Sequence, residues 1–302
     1  MLFALIGVLS SCDNNVDVKP RVVIEELDTV ALSGTGSFRY TDYAPLSSKP
    51  VQVYYHIPSN ASATTPILMV YHGAGRDAEP SRNLLIDEAN AFGFIVLVPE
   101  FSTEDYPGGD VFNLGNIFED GDNPSPTTLN DESIWTFSIV DPLFDYFTAK
   151  IKSSESRYDV FGFSAGGQFA HRHVIFKPQG RYNRVVAASS GWYTTLNDSV
   201  DFPYGLRQSP EDGTNLTTLL AKPITIMVGD LDNDPDAGGL RHNNIVDEQG
   251  FDRLARAKYF YNEAEKKATD MGVPFKWNLQ QLSNVNHDYE ATSSAAAVLL
   301  YK

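Results

Sequence analysis

Ser164 stands in the pentapeptide Gly162-Phe163-Ser164-Ala165-Gly166, and a serine needs help before it can attack a carbonyl. Its hydroxyl is a weak nucleophile until a neighbouring base takes the proton. That base works best when a third group orients it. The chain offers both kinds of group. Six histidines are present: His56, His72, His171, His173, His242 and His287. A run of carboxylates, Asp230, Asp232, Asp234 and Asp236, follows an apolar segment. The chemistry open to such a set is acyl transfer. The aspartate run also has the alternation of a calcium loop, but an EF-hand needs Gly at the sixth position and Glu at the twelfth. Counting from Asp230 gives Pro235 and Arg241, and counting from Asp232 gives Ala237 and Asn243, so no EF-hand is expected, and acyl transfer of this kind requires no metal.

The residues around Ser164 say how it is presented. An apolar strand over 158–163 runs into small residues and then into a helix carrying Phe169, Ala170, Val174 and Ile175. Gly162 and Gly166 permit a very sharp turn, and Ala165 and Gly167 let the helix pack close to the sheet. Ser164 then projects at the top of a strand, and the N–H of Ala165 is free to donate to a developing oxyanion.

The rest of the chain reads as alternating strands and helices. A first strand is expected over 22–27. The alternating stretches 36–43 and 51–57 read as antiparallel edge strands. The continuous apolar runs 66–71 and 94–99 read as strands buried on both faces. Between them a helix is expected over 81–92, with Ser81 as its cap. Segment 102–131 is polar and too long for an ordinary connection, which places it over the rim of the site. Helical periodicity follows over 132–151, with Pro142 kinking it or starting a new helix. Further strands are expected over 184–191, 223–228 and 275–282, with helices over 245–271 and 291–300. The implied architecture is one α/β domain, a mostly parallel central sheet with helices on both faces.

The strand–G-x-S-x-G–helix unit and the segment His72-Gly73-Ala74-Gly75 after a buried strand resemble the α/β-hydrolase superfamily. Gly162-Phe163-Ser164-Ala165-Gly166-Gly167 together with the His-Gly-Ala-Gly turn is similar to secreted esterases of the polyhydroxybutyrate depolymerase and feruloyl or acetylxylan esterase kind. The resemblance implies that Ser164 is the nucleophile, that the acid and then the histidine follow it in the chain, and that the N–H groups of Ala74 and Ala165 form the oxyanion hole. The acid then falls in Gly229-Asp230-Leu231-Asp232-Asn233-Asp234. Its usual place a few residues past the strand-ending glycine points to Asp232, with Asp234 and then Asp230 as alternatives. Of the histidines only His287 lies beyond the last strand. His72 is expected to be a structural hydrogen-bonder in its turn. The implied reaction is ester hydrolysis through an acyl-enzyme, on carbohydrate-linked, aromatic or polyester substrates, with no cofactor. Trp192, Tyr193 and Tyr204 are candidates for substrate binding because flat rings suit sugars and aromatic acyl groups. A serine peptidase of the same fold, or a non-catalytic binding protein on that scaffold, are the alternatives.

Composition bounds these readings. The 302 residues suffice for one large domain, and 42% hydrophobic residues indicate a globular chain. A formal net charge of -16 argues against nucleic acid as a partner, and against polyanions drawn in by long-range steering. The expected form is a monomer. The one cysteine, Cys12, excludes an intramolecular disulfide. It follows an apolar run, and Leu9-Ser10-Ser11-Cys12 resembles a bacterial lipobox, in which the cysteine is lipidated. Residues 1–12 then read as a lipoprotein signal, 13–30 as a tether and 31–302 as the hydrolase domain. The protein would be anchored by lipid in the cell envelope, in the periplasm or on the outer surface, or be secreted.

Overall fold

The computed structural model of the chain describes residues 33–302. The strand expected over 22–27, Cys12 and the tether lie outside the described residues. Eight strands form one sheet in the order β1-β2-β4-β3-β5-β6-β7-β8. They are β1 Gly34–Tyr40, β2 Val51–Ile57, β3 Ile67–Tyr71, β4 Ile95–Glu100, β5 Tyr158–Phe163, β6 Tyr182–Ala188, β7 Ile224–Gly229 and β8 Asn278–Leu282. β1 pairs antiparallel with β2, and β2 with β4. Every other pairing is parallel.

The continuous apolar runs have a simple reason. Successive side chains of a strand point to opposite faces, and here both faces are covered. Ile67, Met69 and Tyr71 of β3 enter one core, while Leu68 and Val70 enter the other. β4 divides in the same way, Ile95 and Leu97 against Val96 and Val98. The larger core is closed by α4 (Val140–Lys150), α5 (Ala165–Phe176) and α7 (Arg253–Met271), through residues such as Phe147, Phe169 and Phe260. The smaller one is closed by α1 (Ala78–Asn83), α2 (Ile86–Phe92) and α8 (Tyr289–Tyr301), through Ala78, Ala89 and Leu300. Two single-turn helices, α3 (Gly108–Val111) and α6 (Thr217–Leu220), complete the set. Phe169 lies within 4.5 Å of the Tyr71 ring centre, 4.7 Å of Phe137 and 5.1 Å of Phe101. Truncating a buried ring of this kind costs about 3–5 kcal/mol.

Three expectations are corrected. The helix over 81–92 is two short helices, and Ser81 caps neither. α1 begins three residues earlier, and the Ser81 hydroxyl donates back to the carbonyl of Asp77 at 2.6 Å, inside the helix. The helix over 245–271 is interrupted at Gly250, whose φ of 126° no helix accommodates. α7 starts afresh at Asp252, whose carboxylate accepts from the N–H of Ala255 at 2.8 Å. The loop 102–131 is less polar inside than its composition suggests, since Tyr106, Phe112, Leu114, Ile117 and Phe118 are all buried.

Candidate active site

Ser164 sits between β5 and α5 with φ 57° and ψ -115°, a conformation that costs an L-residue about 1–3 kcal/mol. Its neighbours hold it there. The Ser164 N–H donates to the carbonyl of Ala188 on β6 at 2.9 Å, and its own carbonyl accepts from Gln168 at 3.0 Å. The glycines are required by space. A Cβ at Gly162 would come under 3.0 Å from the carbonyl of Gly166. One at Gly166 would meet the carbonyls of Tyr71 and His72, and one at Gly167 that of Ala188. The first turn of α5 is thereby pressed against the ends of β3 and β6. The Ala165 N–H, first in α5, has no partner within its helix.

Asp232 and His287 come from the ends of β7 and β8. The His287 Nδ1 lies 2.8 Å from the Asp232 Oδ2, and the Nε2 lies 3.2 Å from the Ser164 Oγ. A carboxylate only accepts, so Nδ1 carries the proton and donates to Asp232. Nε2 is then left to accept from the serine hydroxyl. The histidine loop is held close by Gly229, where a Cβ would fall under 3.0 Å from the carbonyls of Val285 and Asn286. Leu231 N–H donates to the Val285 carbonyl at 2.9 Å. Asp288, immediately after His287, caps α8 by accepting from Ala291 N–H at 2.8 Å. The Phe163 ring lies 4.6 Å from the imidazole.

Asp232 is buried, and it is anchored twice by the start of α7. Its Oδ1 lies 3.4 Å from the Arg253 guanidinium, and its carbonyl accepts from Leu254 N–H at 3.0 Å. The other aspartates are occupied elsewhere. Asp230 accepts from Asn284 N–H at 2.7 Å, and exposed Asp234 accepts from Asp236 N–H at 2.9 Å in a local turn. Among the described residues no group of three or more His, Cys, Asp or Glu side chains is placed to hold a metal.

No other histidine reaches Ser164. His72 is fully buried, donating from Nδ1 to the Gly73 carbonyl at 2.9 Å and accepting at Nε2 from Phe101 N–H at 3.0 Å. It is the structural member of its turn, and burial pushes its pKa down to about 4. His171 joins the Gly167 carbonyl to Thr194 N–H, and His173 meets the Tyr71 hydroxyl at 3.0 Å. His56 pairs with Asn90, and His242 with Asp247.

Two clefts meet at the serine, and Ala74 lines both. One, of about 410 Å³, is walled by Phe163, Pro80, Leu84 and Tyr289, and includes His287. The other, of about 430 Å³, is walled by Ala165, Asn113, Gln168, Trp192, Arg76, Arg241 and Arg253, with Asp110. Trp192 lines this second cleft. Tyr193 does not. It is wholly buried, stacks on Phe260 at 4.5 Å and lines neither cleft. The expectation that Tyr193 binds substrate is therefore corrected: successive side chains diverge, and its own points into the core. Tyr204 lies behind the wall, its ring 4.9 Å from Trp192 and its hydroxyl accepting from Arg241 at 3.0 Å and Asn243 at 2.7 Å. Its part is also corrected, from touching substrate to supporting Trp192 and Arg241.

Sequence reasoning missed the arginines, and it used Gly229 to mark the end of a strand without seeing that it makes room for the histidine loop. Arg76 directly follows the His-Gly-Ala-Gly turn, a position that could have drawn notice. Arg241 and Arg253 carried no local signal.

An eight-stranded, mostly parallel sheet that presents a serine on a strand-to-helix turn defines an α/β-hydrolase, and the chain belongs to that superfamily. No protein-family model and no curated protein sequence matches the chain. Among solved structures, it is 37% identical to poly(aspartic acid) hydrolase-1 from Sphingomonas sp. KT-1, with a TM-score of 0.82 over 90% of this chain and 100% of that one. It is 30% identical to LpqC, the poly(3-hydroxybutyrate) depolymerase from Bordetella parapertussis, with a TM-score of 0.81 over 89% of each chain. An S-formylglutathione hydrolase from Agrobacterium tumefaciens, 17% identical with a TM-score of 0.56, shares the fold alone. The protein is a hydrolase.

Proposed function

We propose that the protein is a serine carboxylic-ester hydrolase working through an acyl-enzyme. Ser164 Oγ attacks the carbonyl and passes its proton to His287 Nε2. The N–H groups of Ala165 and Ala74 receive the oxyanion. Collapse of the tetrahedral intermediate expels the alcohol, which takes the proton back from His287. Water then repeats the cycle and releases the acid. Asp232 holds the imidazole tautomer throughout, and Arg253 holds Asp232. The observation that carries this reading is the chain of contacts from Asp232 through His287 to Ser164, at 2.8 and 3.2 Å, opening on two clefts. A carbohydrate-linked, aromatic or polyester ester fits the aromatic wall at Trp192, and the likeness to a poly(3-hydroxybutyrate) depolymerase supports the polyester.

A fluorophosphonate probe tests the nucleophile. Wild type becomes labelled and Ser164→Ala does not. An unlabelled wild type points to a binding protein instead.

The second reading is cleavage of an amide by the same groups, as in a serine peptidase. The 37% identity to a protein named poly(aspartic acid) hydrolase-1 favours it. A lipid-anchored place in the cell envelope belongs to the same proposal and rests on the pattern ending at Cys12. Cys12→Ala is expected to move the protein from the membrane fraction to the soluble one. A wild type already soluble would exclude the anchor.

A further inference from the structure

The two clefts at Ser164 differ in a way that assigns the two halves of the substrate. The leaving group must come within hydrogen-bond reach of the imidazole that protonates it. His287 lines only the apolar cleft, beside Phe163, Leu84 and Tyr289. Ala165, which offers an oxyanion donor, lines only the other. The leaving group therefore departs along the apolar cleft, and the acyl group lies along the polar one.

The polar cleft carries a cationic surplus. Arg76, Arg241 and Arg253 line it, and Arg172 lies behind Trp192, its guanidinium 4.1 Å from the ring centre. In the lining itself three arginines face one carboxylate, Asp110, while Asp120, Asp122 and Asp232 lie just outside it. Arg241 pairs with Asp122, and Arg253 with Asp232. Arg76 donates to the carbonyls of Phe101, Tyr106 and Gly108. Arg172 is fully buried. It reaches Thr194, Asn113 and Gln168 but no carboxylate, and its Nη2 has no partner. Guanidinium groups kept from water without matching anions are costly unless a ligand supplies the charge. In a chain of net charge -16 this surplus is local to the site.

Resting on the acyl-enzyme reading, we propose that the substrate carries a carboxylate on its acyl half, held at the arginine-lined cleft with Arg241 at its mouth, and that its leaving half is the less polar one. Long-range repulsion from the acidic surface is offset at short range, where buried donors outweigh screened charges.

Two p-nitrophenyl esters test this, the monoester of adipic acid and the hexanoate. They share chain length and leaving group and differ in one terminal carboxylate. The expected result is a kcat/KM at least about tenfold higher for the adipate monoester, the size of one charge-assisted hydrogen bond. Molar salt and Arg241→Gln each reduce that preference to about threefold or less. Arg207→Gln, on an exposed pair with Asp201 away from the cleft, keeps it. Moving the charge to the alcohol, p-carboxyphenyl against phenyl hexanoate, is expected to gain nothing. Equal turnover of the first pair, a preference that survives Arg241→Gln in a folded protein, or a gain only on the alcohol side would each overturn the proposal. Failure of wild type to cleave any of these esters would instead sink the acyl-enzyme reading on which it rests.

Discussion

On the proposed acyl-enzyme reading, Ser164→Ala is expected to lower the kcat for a short p-nitrophenyl ester by about four to six orders of magnitude, and His287→Ala to do the same. Residues that act as one unit lose nearly everything when either is removed. Neither change should unfold the protein. The serine hydroxyl hydrogen-bonds to the imidazole, and His287 is exposed at its loop. Alanine tolerates the turn at φ 57° no worse than serine. Asp232→Asn keeps the shape of the carboxylate but favours the wrong tautomer, and a fall of about four orders is expected. Asp234→Ala should leave kcat within about twofold, because Asp234 is exposed and closes only a local turn. Steady-state kinetics beside thermal melts would check all four. An active Asp232→Asn with an inactive Asp234→Ala would transfer the orienting role.

The protein should lose stability steeply between neutral and mildly acid pH. Burial pushes the pKa of both His72 and His173 down to about 4, and drives that of His171 well below its ordinary value. The unfolded chain takes up protons on these histidines below about pH 6.5, while the folded chain stays neutral there. Acid therefore favours unfolding, and the stability present above pH 6.5 is lost as pH falls toward 4. For His72 and His173 the gap of about 2.5 units is worth on the order of 3 kcal/mol each. Half-buried Asp110 and Glu100 work in the opposite sense. Burial raises their pKa, so the folded state gains a proton more readily and part of the loss is offset. Urea midpoints measured at pH 7.5, 6 and 5 should be flat above about pH 7 and fall below it, at a rate near two protons per molecule. Equal midpoints at pH 7 and 5 would contradict this.

How much of this could be read before any coordinates has a physical pattern. Local sequence dictated the elbow, because only glycines pass the space left by Tyr71 and Gly166. The buried strands were legible because a run covered on both faces has no polar positions to hide. Chain order was enough to separate His287 from five other histidines. Asp232 was harder, since three carboxylates within five residues differ only in where a turn aims them. What failed was decided at long range. Ser81 looked like a cap because the true start, Asp77, makes no side-chain cap bond at all. Tyr193 was a candidate for substrate on its flat ring alone, and its burial depends on Phe260, on a helix far along the chain. The charge of the whole surface pointed away from polyanions, yet three arginines drawn from separate segments line the cleft beside the serine. A sum over 302 residues says nothing about such a gathering.

The orienting carboxylate is held by the first turn of α7, not by the segment that follows it. Asp232 is bound by Arg253 and Leu254, so residues 233–251 are a bight pinned at both ends. Doubling the length of such a bight costs only about 0.6 kcal/mol. Its mostly exposed part, 233–240, can therefore lengthen or shorten without shifting the reactive groups, whereas Val246 and Gln249 are packed into the fold. Since Arg241 follows that stretch, on the proposed reading the choice of what is cut can drift while the cutting itself stays put.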